Sequence, residues 1–76
     1  MAIKAYVLIE VDIGKTKGVV EAIRRLKGVV SIDAVTGPYD AIAVIQAKTM
    51  SEIGDLVVSM VHAVAGVSRT VTCIAL

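Results

Sequence analysis

An antiparallel four-stranded sheet with two helices on one face is the fold that this 76-residue chain predicts, and three features carry the prediction. Two segments alternate in the period of a strand, two repeat apolar residues at helical spacing, and the second half of the chain repeats the first. Gly28-Val29 recurs as Gly66-Val67, and the same shift carries Val7 onto Ile45, Val19 onto Val57 and Leu26 onto Val64. Two split β-α-β units in one short chain give an α+β, ferredoxin-like βαββαβ plan. Residues 1–76 then form a single domain, since a second would need roughly as many residues again.

Taken in order, Ile3 to Asp12 reads as the first strand, with Ile3, Ala5, Val7, Ile9 and Val11 on one face. Gly14-Lys15-Thr16 resembles the tail of a phosphate loop, but Ile9 stands where that loop needs glycine, so it reads as a turn and helix start. From Thr16 to Lys27, Val19, Val20, Ile23 and Leu26 share a helical face, and Gly28 is placed to end the helix. Val29 to Thr36 forms a second strand. Gly37-Pro38-Tyr39-Asp40 is turn chemistry, and a third strand runs from Ala41 through Lys48. Thr49 and Glu52 have the spacing of a capping box. Behind them Ile53, Leu56, Val57, Met60, Val61 and Val64 mark the second helix, which Gly66 closes, and Val67 to Leu76 is the last strand.

Alternation also assigns faces. If the odd positions of strands one and three meet the helices, Tyr6, Leu8, Ile42 and Val44 line the opposite face, and the last strand adds Thr70, Thr72, Ile74 and Leu76. No helix of the chain covers that face. A contiguous apolar surface of this extent marks an interaction site, and a second copy in two-fold symmetry is its simplest cover. Tyr6, Leu8, Ile42, Val44 and Ile74 are therefore the expected dimer interface.

Composition narrows the function classes. Hydrophobic residues make up 57% of the chain, and the mean hydropathy is +0.83, which excludes disorder. The longest interior run without a formal charge, Leu56 to Ser68, has 13 residues against the roughly 18–20 of a membrane crossing. No signal-peptide pattern opens the chain, and cytoplasm is the expected compartment. A net charge of +1 does not suit a dedicated nucleic-acid binder. With two tyrosines and no phenylalanine or tryptophan, the sheet lacks stacking platforms for RNA. Arg24, Arg25 and Lys27 read as a solvated helix end.

Catalytic chemistry finds little footing. The one histidine, His62, has Ser59 and Gly66 as its helix neighbours, neither a carboxylate nor an imidazole, and reads as a surface or interface residue. Cys73, the one cysteine, reads as a small core residue. Asp12, Asp33, Asp40 and Asp55 are scattered, and no nucleophile, base and orienting group assemble. The expectation is a protein that is not an enzyme and needs neither metal nor cofactor. Tyr39 is the exception to plain turn chemistry: a large aromatic beside exposed amides can wall a small-ligand pocket.

The segment Val35-Thr36-Gly37-Pro38-Tyr39-Asp40 is similar to the Gly-x-Tyr-Asp turn of the Lrp/AsnC feast/famine regulators. The ending Gly66-Val67-Ser68-Arg69-Thr70-Val71-Thr72 resembles that family's Gly-Val…Thr-x-Thr close. The resemblance spans nearly the whole chain and corresponds to the effector-binding (RAM) domain. Full-length members carry a helix-turn-helix module, whereas this chain opens on its first strand, so it resembles a stand-alone version without direct DNA binding. The resemblance implies dimers through the open sheet faces, assembly into octameric or similar rings, and a free amino acid effector held between dimers. It also implies mixed assembly with full-length Lrp/AsnC regulators. Carried over residue by residue, the ligand positions are Thr36, Gly37, Tyr39, Asp40, Thr70 and Thr72. Amides around Gly37 would serve a carboxylate, and Asp40 or strand-end carbonyls an ammonium; in the second reading of Asp40 it only caps its own turn. The competing readings are an ACT-like regulatory domain and a small dimeric α+β-barrel enzyme with a cavity between sheet and helices.

Overall fold

The computed structural model describes residues 2–76. Its elements are β1 (Ile3–Val11), α1 (Thr16–Arg24), β2 (Val29–Ala34), β3 (Ala41–Ala47), α2 (Met50–Asp55), a π-helical segment Leu56–Val61 continuing α2, and β4 (Val67–Ile74). The strands form one antiparallel sheet in the order β2-β3-β1-β4. This is the ferredoxin-like plan, with both helices on one face.

The core lies between that face and the helices. Ala5, Val7, Ile9, Ala41, Ala43 and Ile45 from the two central strands meet Val19, Ile23, Ile53, Val57 and Val61, all of them buried. Ala41 and Ala43 are fully buried beneath the helices, small side chains that leave room for close packing of the layer. Thr49 caps α2, its hydroxyl accepting from the Glu52 N–H at 3.1 Å while the Glu52 carboxylate accepts from the Lys48 N–H at 3.1 Å. Gly28 and Gly66 end the two helical regions with φ of +98° and +101°, a region that favours glycine.

Several elements differ from the sequence reading at their ends. The last turn of α1 tightens, Arg25 N–H donating to Ala22 and Leu26 N–H to Ile23, so regular helix stops at Arg24 and not Lys27. This three-residue spacing commonly closes a helix. The second helix departs more. Its His62 N–H donates to the Val57 carbonyl at 2.9 Å, the five-residue spacing of a π-helix. The wider turn rotates Met60 outward to 45% exposure, while Leu56, Val57 and Val61 stay buried. An α-helical period had placed Met60 in the core.

Register overturns the face assigned to the last strand. Ala5 pairs with Ile74, Val7 with Thr72 and Ile9 with Thr70, and directly paired residues share a face. Thr70, Thr72 and Ile74 therefore lie on the helix side, not beside Tyr6 and Leu8, and Leu76 lies beyond the strand. Ile74 thus leaves the expected sheet-face interface. In its place Val71 pairs with Leu8 and Cys73 with Tyr6. Cys73 is exposed on the open face, which corrects its reading as a core residue. Tyr6, Leu8, Ile42 and Val44 do line that face, as alternation required. Lys4 lies over the Tyr6 ring, 5.2 Å from its centre, and Arg69 stands 3.8 Å from the Glu10 carboxylate.

Candidate effector site

The turn between β2 and β3 is tied down at both ends. Val35 N–H donates to the Asp40 carbonyl at 2.9 Å, and Asp40 N–H donates to the Ile9 carbonyl at 2.9 Å. The Asp40 carboxylate accepts from the Val11 N–H at 2.7 Å. One side chain thus closes the end of β1 where its pairing with β3 stops. This bond reaches further than a cap on its own turn, and it occupies one carboxylate oxygen while the other keeps its lone pairs. Replacing Asp40 with alanine strands a half-buried amide and is expected to cost about 1–2 kcal/mol, read as a lowered denaturation midpoint in urea. A urea midpoint unchanged in Asp40→Ala would show that the bond contributes nothing.

Gly37 has φ +133°, and a Cβ there would meet only the Tyr39 carbonyl oxygen, 3.9 Å away. Glycine is needed here for its backbone angle and not for space. Thr36, Gly37 and Pro38 are exposed, and Tyr39 is half-buried.

The two threonines stand elsewhere. Thr70 pairs with Ile9, which pairs with Ala41 on its other side. Thr70 is therefore two strand spacings, about 10 Å, from the residue that follows the turn. Its hydroxyl lies 2.6 Å from Nε2 of His62. Val67, Ser68 and Arg69 complete an open recess of about 350 Å³ around this pair. Thr72 lies further along β4 in an apolar groove with Ile53, Val57, Val58 and Ile74. The structure thus gathers Thr36, Gly37, Tyr39 and Asp40 at one turn, and sets Thr70 and Thr72 apart on the edge strand.

His62 is exposed, in line with its reading as a surface residue, yet it has a partner that the sequence did not disclose. Its neighbours along the helix offered no partner, but its partner comes from β4. A signal did exist: the shift that places Gly28 on Gly66 places Ile32, buried on the helix side, on Thr70. A larger hollow of about 550 Å³, lined by Lys27, Gln46, Lys48 and Glu52 among others, contains none of the expected ligand residues. Among the described residues, no three His, Cys, Asp or Glu side chains gather as a metal site would require.

Comparison with known proteins gives the family. A model of the Lrp/AsnC ligand binding domain matches residues 4–76. The chain is similar to the uncharacterized HTH-type transcriptional regulator PH1916 of Pyrococcus horikoshii, 34% identical over 73 residues, covering 92% of this chain and 49% of that protein. It spans about half the length of the curated relatives it matches. The crystal structure of TTHA0845 from Thermus thermophilus superposes with a TM-score of 0.92 at 36% identity, covering 97% of this chain and 92% of that one. The transcriptional regulator NMB0573 of Neisseria meningitidis, solved as a complex with L-Met, shares the fold at a TM-score of 0.87 and 17% identity, over 97% of this chain and 49% of its own. With nearly every residue matched and the fold in agreement, the chain belongs to the Lrp/AsnC family and corresponds to its ligand binding domain.

Proposed function

We propose that the chain is a non-enzymatic sensor of a free amino acid, which assembles from dimers into rings and modulates transcriptional regulators of amino-acid metabolism in the cytoplasm. Residues 1–76 act in this reading as one module, with no DNA contact of their own, and full-length Lrp/AsnC regulators are the partners through mixed assembly. The observation that supports it is the split between the turn and the edge strand. The turn that carries Asp40 and the edge strand that carries Thr70 and Thr72 stand about 10 Å apart across the sheet, and both open to the surface of the single chain. In this reading the effector lies between dimers, where a second copy closes the site, and its binding is coupled to assembly. The NMB0573 complex makes L-methionine a reasonable first candidate.

Native mass spectrometry of the purified chain, with and without a mixture of the twenty amino acids, tests this reading. The expected spectrum is an even-numbered assembly that gains the mass of one amino acid per subunit. A ligand that binds only the folded state also raises stability, by about 2.7 kcal/mol at a hundredfold excess over Kd. Thermal melts should therefore single out the same amino acid, and Gly37→Ala should shrink its effect. A monomer with no bound mass and no thermal response to any amino acid would remove the proposal.

A further inference from the structure

His62 stands where the π-helical segment ends, and the wider wind of that segment helps set where its ring falls. π-helical turns are rare and recur at functional sites. Here the imidazole reaches β4, with Nε2 2.6 Å from the Thr70 Oγ1. Beside it the Ser68 hydroxyl donates to the Glu10 carbonyl at 3.0 Å, so its proton is committed. The Thr70 proton is the one hydroxyl proton of the recess whose direction is open, and His62 controls it.

We propose that this recess receives the carboxylate of the effector, and that the charge on His62 sets how tightly it binds. The proposal rests on the amino-acid reading above and adds to it a residue and a regulation. A threonine hydroxyl has one proton and two lone pairs. When neutral His62 accepts at Nε2, that proton points at the ring and the recess presents lone pairs, which repel a carboxylate. When His62 is an imidazolium, Nε2–H must donate to Oγ1. The hydroxyl proton then turns outward, and the recess offers a donor beside a positive charge. The neutral tautomer with its proton on Nε2 also donates, but without the charge, so the imidazolium is the stronger host.

The charges around the recess are few. The Arg69 and Glu10 side chains pair with each other on the open face of the sheet, away from Thr70, and the Lys15 stem lies against Gly66 on the helix side. Glu52 and Asp55, the acids of His62's own helix, stand about two turns or more back. Histidine is the side chain type that changes charge across the pH range from about 5 to 8. A free amino acid keeps both its carboxylate and its ammonium charged from about pH 6 to 8. Affinity is then full where His62 is protonated and falls as the proton leaves, and binding takes up protons at intermediate pH.

The test is calorimetric titration of the full chain with each of the twenty L-amino acids at about pH 6 and pH 8. It is run on the unmodified protein, on His62→Gln, which keeps a partner for Thr70 but does not titrate, and on Thr70→Val. Sodium acetate is the second probe, followed through the His62 ring resonances by NMR. The amino acid that binds should do so about five- to tenfold tighter at the lower pH. His62→Gln should bind it equally at both, and Thr70→Val should bind weakly at both. Equal affinity at the two pH values in the unmodified protein, or a pH dependence that survives in His62→Gln, overturns the proposal and leaves the sensor reading intact. If acetate alone binds and shifts the ring at the lower pH, the subsite stands and the sensor reading falls. If no amino acid and no acetate binds, both fall.

Discussion

Changing Leu8 and Val44 to aspartate is expected to leave this protein monomeric or insoluble. Both side chains are half-buried on the open face of the sheet, next to Tyr6 and Ile42, and neither belongs to the core between sheet and helices. Burying apolar area is worth about 25 cal/mol per Å², so a few hundred Å² per subunit supplies on the order of 10 kcal/mol. Association itself costs about 4–15 kcal/mol, so the balance is close enough for two charges to reverse it. An aspartate carboxylate buried without a partner loses several kcal/mol of hydration. Light scattering and far-UV circular dichroism read the outcome together: the mass should fall while the secondary structure remains. If the unmodified chain is a monomer at micromolar concentration, or if the double variant keeps the parent's mass, the open face is not the interface.

The largest loss of stability from one small substitution is expected at Gly66. A Cβ there would lie 2.8 Å from the Lys15 Cβ and 2.9 Å from the Val19 Cγ2, with φ at +101°. Val19 is fully buried and has no room to retreat. The backbone angle costs an L-residue about 1–2 kcal/mol, and overpacking adds roughly 1–3 kcal/mol. Gly66→Ala should therefore lose about 3 kcal/mol, out of the roughly 4–11 kcal/mol expected for a chain of this size. At about 4–8 °C per kcal/mol, the Tm should fall by more than 10 °C. Gly54 is the control. It lies within α2, where an added Cβ would meet nothing within 4 Å, so Gly54→Ala should add up to about 1 kcal/mol through helix propensity. Melts at one fixed protein concentration compare the two, and equal shifts would show that neither the angle nor the contact at residue 66 matters.

The candidate site shows how much of such a pocket a sequence discloses. Gly37 and its positive φ were legible, because a turn beside a proline restricts the residues that fit. The tie between Asp40 and Val11 was not, since it joins residues 29 apart in the chain. His62 was read against its helix neighbours, whereas its partner lies on β4 and is reached where a π-helical wind ends. Nothing in the apolar spacing from Ile53 to Val64 separates that wind from an α-helix.

What the sequence determined by itself is the architecture and one of its two surfaces. Alternation in β1 and β3, helical spacing in α1 and α2, glycines at both helix ends and the internal repeat all specify the same fold. All but the repeat are local, a matter of which residues lie two, three or four positions apart, and the repeat copies the same local pattern into the second half of the chain. The tertiary structure decided the faces of β4. A strand's alternation says which residues go together, but only its pairing with a neighbour says which set points inward. Ile9 opposite Thr70 and Val7 opposite Thr72 turned both threonines and Ile74 toward the helices and put Cys73 outside. That pairing spans about 60 residues of chain, a relation no window of local pattern contains.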